Sequence, residues 1–279
     1  MQRLLLRFKD FKPKALTLSY DDGVEQDIKL IEIMNKYGLK GTFNINSGLF
    51  KEEGYEYPKG QIHRRMTKKE CYDLYKNSGH EVAVHALTHP HLEDFPSNVI
   101  IDEVISDRRN LEQMFGTIIR GMAYPYGTYN DLVVDALKVC NIAYSRAVRS
   151  TEKFDIPKDW LRLSATCHHK NPNLMSLAKK FVEDEVKTTP YLFYLWGHSY
   201  EFEADNNWNV IEEFAQYISN KNDVWYATNI EIYDYIKAFE SLILSNDAKI
   251  IKNPSDLDIY FVKDNKEYVI KSGETIFVN

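Results

Sequence analysis

The chain has 279 residues, 44% of them hydrophobic and 27% charged, and a formal net charge of −6. That length holds one large α/β domain with a small addition or two ordinary domains, and the apolar content supports a full core and argues against disorder. The acidic balance argues against a broad nucleic-acid surface, while Cys71, Cys140 and Cys167 form no C-x-x-C pair, so neither a disulfide framework nor a thiolate zinc site is suggested.

At the N-terminus the apolar run of residues 4–6 is broken at once by Arg7 and Lys9. It is too short for a secretion signal, and no later run approaches a membrane span, so the sequence reads as cytoplasmic with no membrane partner. Residues 15–20 read as a strand ending before Gly23. Residues 26–37 read as a helix with Ile28, Ile31 and Met34 on one face and Gly38 as its stop. The next strand is 41–46. Thr67 and Glu70 have capping-box spacing and open a helix that ends near Gly79, ahead of a strand over 80–85.

The alternation continues with helix 99–115, strand 117–124, helix 130–140, strand 142–148, strand 161–166, helix 173–183 and strand 191–197. Helix 208–219, strand 224–227 and helix 230–240 complete it. Seven or eight strand–helix units imply parallel strands, and that many favour a closed (β/α) barrel over an open doubly wound sheet. From about Asn246 the pattern becomes three short strands separated by polar turns, which divides the chain into a barrel over 1–245 and a small antiparallel β appendage over 246–279.

Four elements that could carry chemistry fall at the C-terminal ends of predicted strands. Asp21 and Asp22 follow the first strand, and because successive side chains project differently, one carboxylate can take a cation while its neighbour faces elsewhere. His85 and His89 are four apart, with Pro90 against a regular helix, so a single shaped turn brings the imidazoles together at a spacing that suits zinc and related cations. His91 has the wrong spacing to join them. Tyr124-Pro125-Tyr126-Gly127 imposes a fixed turn that leaves the Tyr126 amide free to face a ligand, and His198 ends a buried run. In a (β/α) barrel such strand ends converge on one face, and two histidines with one aspartate leave a cation open positions, the pattern of a catalytic centre.

Over residues 14–240 the sequence resembles the NodB-like polysaccharide deacetylases of carbohydrate esterase family four, whose fold is a distorted (β/α) barrel. The segment 18–23 is similar to the family's first motif, which implies Asp21 as catalytic base and Asp22 as metal ligand. His85 and His89 match the ligands of the second motif, with Ala86 where the family has Ser or Thr. Tyr124 to Gly127 resembles the third motif and implies that the Tyr126 amide binds the oxyanion. The Arg that precedes the proline of that motif has no counterpart, since Arg120 lies too far back. Asp155 or Asp159 is a faint match to the fourth motif, and His198 matches the general acid of the fifth. The resemblance implies one divalent cation, zinc first and cobalt, nickel or iron as alternatives. It also implies hydrolysis of an acetamide on an amino sugar. Tyr124, Tyr126, Tyr129, Trp196 and Trp208 are the aromatic faces that an acetylated carbohydrate partner would meet. An amidase or esterase on a non-sugar substrate and a carbohydrate-binding protein without turnover are the alternative readings.

Overall fold

The computed structural model describes residues 4–278. The strands of the main body are β1 (Leu5–Arg7), β2 (Lys14–Asp21), β3 (Gly41–Ile45), β4 (Glu81–Val84), β5 (Gly121–Ala123), β6 (Tyr144–Ser150), β7 (Leu163–Ala165), β8 (Cys167–His168), β9 (Tyr191–Gly197) and β10 (Val224–Tyr226). Its helices are α1 (Asp27–Lys36), α2 (Lys68–Tyr75), α3 (Ser97–Phe115), α4 (Asp131–Val139), α5 (Leu174–Glu183), α6 (Tyr200–Ala204), α7 (Asn209–Ile218) and α8 (Asn229–Glu240). Five short strands follow: β11 (Ile243–Leu244), β12 (Ile250–Lys252), β13 (Ile259–Lys263), β14 (Lys266–Ile270) and β15 (Thr275–Phe277).

The order β7-β6-β5-β4-β3-β2-β9-β8 is parallel throughout, and β10 lies alongside β2. β7 and β8 are two pieces of one extended segment divided at Thr166. The first piece pairs with β6 (Arg146 opposite Leu163) and the second with β9 (Cys167 opposite Leu195). This segment therefore closes the sheet into a distorted barrel of seven strand positions, with β10 beside β2, within the seven or eight that the alternation of strands and helices predicts.

β2 is buried along its whole length, as a strand between two packed layers must be. Its Leu16, Leu18 and Tyr20 join the outer core with Leu30, Ile33 and Met34 of α1. Thr17, Ser19 and Asp21 instead face a polar interior, where Ser19 accepts from the Asn44 amide (2.9 Å) and Thr17 donates to Asn229 (2.7 Å). α8 plugs the opposite end of the barrel. Its first amides donate to Thr42 (3.1 Å) and Glu81 (2.9 Å), and burial pushes the Glu81 carboxyl up to about 7.

Local departures from the sequence reading have physical causes. Strand 117–124 shrinks to Gly121–Ala123, because Ile118 is 76% exposed and its apolar side chain belongs to the surface. Residues 160–162 form a 3-10 turn, which Asp159 caps through the Leu161 amide (3.1 Å). The short helix α6 lies in a stretch without helical periodicity. The C-terminal strands form two antiparallel sheets, β11-β12-β15 and β1-β13-β14, so the second recruits residues from the start of the chain. All three cysteines are buried and unpaired. No helix among the described residues is long and apolar enough to cross a membrane.

Tyr235 of α8 ties the C-terminal sheet to the barrel: its hydroxyl donates to the Arg7 carbonyl (2.8 Å) and accepts from the Tyr260 amide (3.0 Å). Tyr235→Phe strands both backbone groups and should cost about 1–3 kcal/mol. Urea denaturation checks this; an unchanged midpoint would mean that the hydroxyl bears no such load.

Candidate active site

β2 ends at Asp21, and the chain turns at once through Asp22 (φ +85°) and Gly23 (φ +63°). The left-handed backbone at Asp22 interrupts the strand alternation, so both carboxylates reach the same pair of imidazoles. Asp21 Oδ2 lies 3.9 Å from His85 Nε2, and Asp22 Oδ1 lies 4.0 Å from His89 Nε2. His85 follows β4. Ala86 (φ +61°) and His89 (φ +56°) are both left-handed, and this shaped loop brings the two rings to 4.8 Å. At Ala86 no hydroxyl is present, and the loop is held through its backbone instead. Asn46 donates to the carbonyls of His85 and Ala86, and buried Asp107 of α3 accepts from the amides of His85 (3.1 Å) and Ser47 (2.7 Å).

The protonation states suit a cation. His85 Nδ1 stands 2.8 Å from the Ala123 carbonyl, which can only accept, so Nε2 is left with a lone pair. Burial pushes His85 below its ordinary value and His89 down to about 4, which keeps both rings neutral at pH 7. Burial also opposes the charge of Asp22. The His63 hydrogen bond (3.2 Å) and the Arg65 guanidinium (2.9 Å) outweigh it and hold that carboxyl well below the carboxylate range. One ligand atom from each of Asp22, His85 and His89 lies within 4.8 Å of the others, a donor set that fits a divalent cation. His63 and Arg65 come from the irregular stretch between β3 and α2, where the sequence offers no periodicity to mark them.

Asp21 sits deeper. Arg146 of β6 brings Nη2 to both carboxylate oxygens (2.6 Å to Oδ1, with a close contact to Oδ2), and the Asn44 amide donates to Oδ1 (2.8 Å). The guanidinium lies over the ring of buried Trp196, 4.4 Å from its centroid. Burial works against ionisation here, yet the Arg146 charge, helped by His85 and His198, holds Asp21 below its ordinary value. His198, just past β9, places Nε2 3.7 Å from Asp21 Oδ2 and Nδ1 3.4 Å from Glu201 of α6. Desolvation would lower this imidazole, but Glu201 and Asp21 raise it above its ordinary value, which favours the imidazolium.

Neither Asp155 nor Asp159 is seen to support His198. Asp159 is committed to Arg162 (2.7 Å), and Asp155 lines a separate cavity with Lys153 and Arg162. Arg120 pairs with Asp234 of α8. The charged partners of His198 and Asp21 are Glu201 and Arg146. Glu201 has one available signal, a carboxylate three residues after His198. Arg146 has none, because β6 gives it the look of an ordinary strand residue.

At the Tyr124–Gly127 turn, Gly127 has φ +72°, and a Cβ there would lie 2.2 Å from Val148 Cγ1, so only glycine fits. Tyr126 (φ +57°) is 53% exposed, with its ring stacked on His91 (3.8 Å) and edge-on to His89 (4.5 Å). Tyr124 is buried, donates to the Leu161 carbonyl (2.7 Å) and stacks on Tyr129. Trp208 packs on Phe202, with the Lys29 ammonium 4.5 Å from its ring.

The barrel thus gathers Asp, His and aromatic side chains at its strand ends. Residues 8–145 match the model of the polysaccharide deacetylase family, a family of hydrolases, and the chain belongs to these NodB-like proteins. Among solved structures, a protein assigned to the polysaccharide deacetylases of Mycobacterium smegmatis aligns with a TM-score of 0.59 and 13% identity, over 86% of this chain and 96% of that one. The D285S mutant of peptidoglycan deacetylase PdaC from Bacillus subtilis aligns with a TM-score of 0.50 and 15% identity, over 82% and 94%. The Streptococcus pyogenes deacetylase PplD, solved with acetate, is 22% identical over 52% of this chain with a TM-score of 0.46, and the chain spans 61% of its length. The first two likenesses concern the fold. No curated protein matches the chain.

Arg146→Met would leave the Asp21 carboxylate buried without its cation and should cost about 3–5 kcal/mol at neutral pH. The depressed Asp21 contributes stability above its unfolded value, and that stability is lost as pH falls through the folded one. The deficit of the variant should therefore be greatest near pH 7 and narrow on acidification. Denaturant unfolding at both ends of that range checks it, and a deficit independent of pH would assign the loss to packing.

Proposed function

We propose that this protein is a cation-dependent deacetylase that hydrolyses the acetamide of an amino sugar within an oligosaccharide. The observation that carries the reading is the buried Asp21 carboxyl and the His198 imidazole, with Oδ2 and Nε2 3.7 Å apart, beside the three potential ligands Asp22, His85 and His89. Binding a carbohydrate requires neither an acid nor a base, whereas hydrolysing an amide requires both.

Asp22, His85 and His89 would hold one divalent cation, zinc before cobalt, nickel or iron. Bound there, it would supply Lewis acidity to an attacking water and to the acetyl oxygen. Asp21 takes the proton from that water, and Arg146 and Asn44 hold its carboxylate so that Oδ2 keeps facing His85 and His198. The Tyr126 amide donates to the developing oxyanion, a contribution of about 3 kcal/mol for one such donor. His198, backed by Glu201, protonates the departing nitrogen, which could not leave as an anion. The exposed Tyr126 ring is the aromatic that a sugar meets first, while buried Tyr124 and Trp196 support the site from behind. Tyr129 and Trp208 are half-buried and more distant candidates for sugar contact.

Asp21→Asn should retain the cation and lose about 10²–10⁴ in turnover, the worth of a positioned base. Asp22→Asn should bind the cation weakly and recover part of its activity in excess zinc. Turnover against added zinc for the two variants decides this: rescue of Asp21→Asn instead would exchange the two roles.

The acid form of His198 is the active one, and Glu201 raises its value, so turnover should fall as pH rises through that value. Glu201→Gln should move this alkaline limb to lower pH. A pH–kcat profile with an unmoved limb would detach Glu201 from the acid.

A further inference from the structure

The rim carries a second group of ligand-type side chains that the proposed reaction uses only in part. One ligand atom from each of His168, His198 and Glu201 lies within 4.8 Å of the others. Imidazole nitrogens of His168, His169 and His198 stand 3.1, 3.2 and 3.4 Å from the same oxygen, Glu201 Oε2. These contacts are not aligned hydrogen bonds. His198 Nδ1 and both nitrogens of His169 are buried without a hydrogen-bond partner, and His168 makes its ring hydrogen bond through Nδ1, from the Lys170 amide (3.1 Å).

A single carboxylate oxygen has two lone pairs, so three imidazoles converging on it exceed what it accepts in well-directed bonds. The spacing suits a cation better. Bonds of about 2.0–2.1 Å in a tetrahedral site put neighbouring ligand atoms about 3.3 Å apart, close to the separations at Glu201. His169, 2% exposed, is wedged against Gly197, where a Cβ would lie 2.0 Å from its Nδ1, and its Nε2 lies 3.2 Å from the same oxygen. The Lys170 ammonium sits on the other side of the carboxylate, 3.4 Å from Oε1 and 2.7 Å from Asp205, while Oε2 faces the histidine rings and also accepts from the His198 backbone amide (3.3 Å).

We propose that His168, His198 and Glu201, backed by His169, form a second site for a divalent cation of the zinc class, distinct from Asp22, His85 and His89, and that filling it stops turnover. The inhibitory half of this inference rests on the role proposed for His198; the site itself does not. Coordination at His198 Nδ1 expels one proton from the imidazolium to solvent and leaves the remaining proton on Nε2. Giving that last proton to a leaving amine would create an imidazolate, so the residue ceases to serve as an acid. At His168, coordination at Nε2 moves the tautomeric proton to Nδ1 and frees the Lys170 amide, which lies at an exposed residue and passes to water.

The test strips the full chain with a chelator and titrates it with zinc, reading bound metal by equilibrium dialysis and, in a parallel cobalt titration, by visible absorption. The expected result is two equivalents per chain, with turnover rising on the first and falling about a hundredfold on the second, the usual worth of a positioned acid. His168→Ala should bind one equivalent and lose the falling phase, and His85→Ala should lose the other equivalent. Glu201→Gln, read for binding alone and checked for fold by circular dichroism, should also bind one. A single equivalent in the unaltered protein, or two persisting in both His168→Ala and Glu201→Gln, would overturn the proposal. Because stoichiometry is read apart from activity, a protein that binds two cations in all and releases no acetate at any point of the titration, one equivalent included, would refute the proposed function and leave the second site standing.

Discussion

Asp21 ends a strand that is buried over its whole length, and an ionised carboxylate in that position carries a desolvation cost of several kcal/mol that something nearby must offset. Arg146 supplies the offset from across the barrel, and much of the interior follows from the need to keep both charges satisfied. Asn44 shares the Asp21 carboxylate and the Ser19 hydroxyl, and Trp196 lies flat against the guanidinium. Asp21 Oδ2 is thereby turned toward His85 and His198. The same residues that make a buried charge tolerable also set the direction in which it can accept a proton.

The barrel and its sequence motifs were legible because each rests on local information. Two-sided apolar runs mark buried parallel strands, Thr67 and Glu70 cap α2 through side chains three residues apart, and the His85–His89 loop follows directly from β4. Side chains that act across the barrel were not legible. Arg146 reaches Asp21 over 125 positions of sequence, and Arg65 and His63 reach Asp22 from an irregular stretch. The loop around Ala86 shows the same limit. The missing hydroxyl is visible in the sequence, but its replacement by Asn46 and by Asp107, 22 positions from His85, requires the fold. The pairing of Leu5–Arg7 with β13 is likewise a long-range event, with no turn signal to announce it.

His198 stands between two groups with different demands. On one side Asp21 keeps its Nε2 face toward the barrel axis; on the other Glu201 draws its Nδ1 face toward His168 and His169. A carboxylate on each side favours the imidazolium, which is the form a general acid needs. The same arrangement gives a cation a route to that imidazole once the proton leaves, so the features that favour acid catalysis also expose it to competition.

The proposed reaction removes acetyl groups from a carbohydrate at the strand-end cluster, with a cation held by Asp22, His85 and His89. Acetate release from a panel of N- and O-acetylated oligosaccharides, with cation content measured on the same sample, tests it most directly. The expected result is acetate and a free amine from an N-acetylated member, abolished by chelation and restored by one equivalent of zinc. Release that is undiminished in protein shown to contain no cation, or no release from any member by protein carrying one equivalent at those ligands, would contradict it.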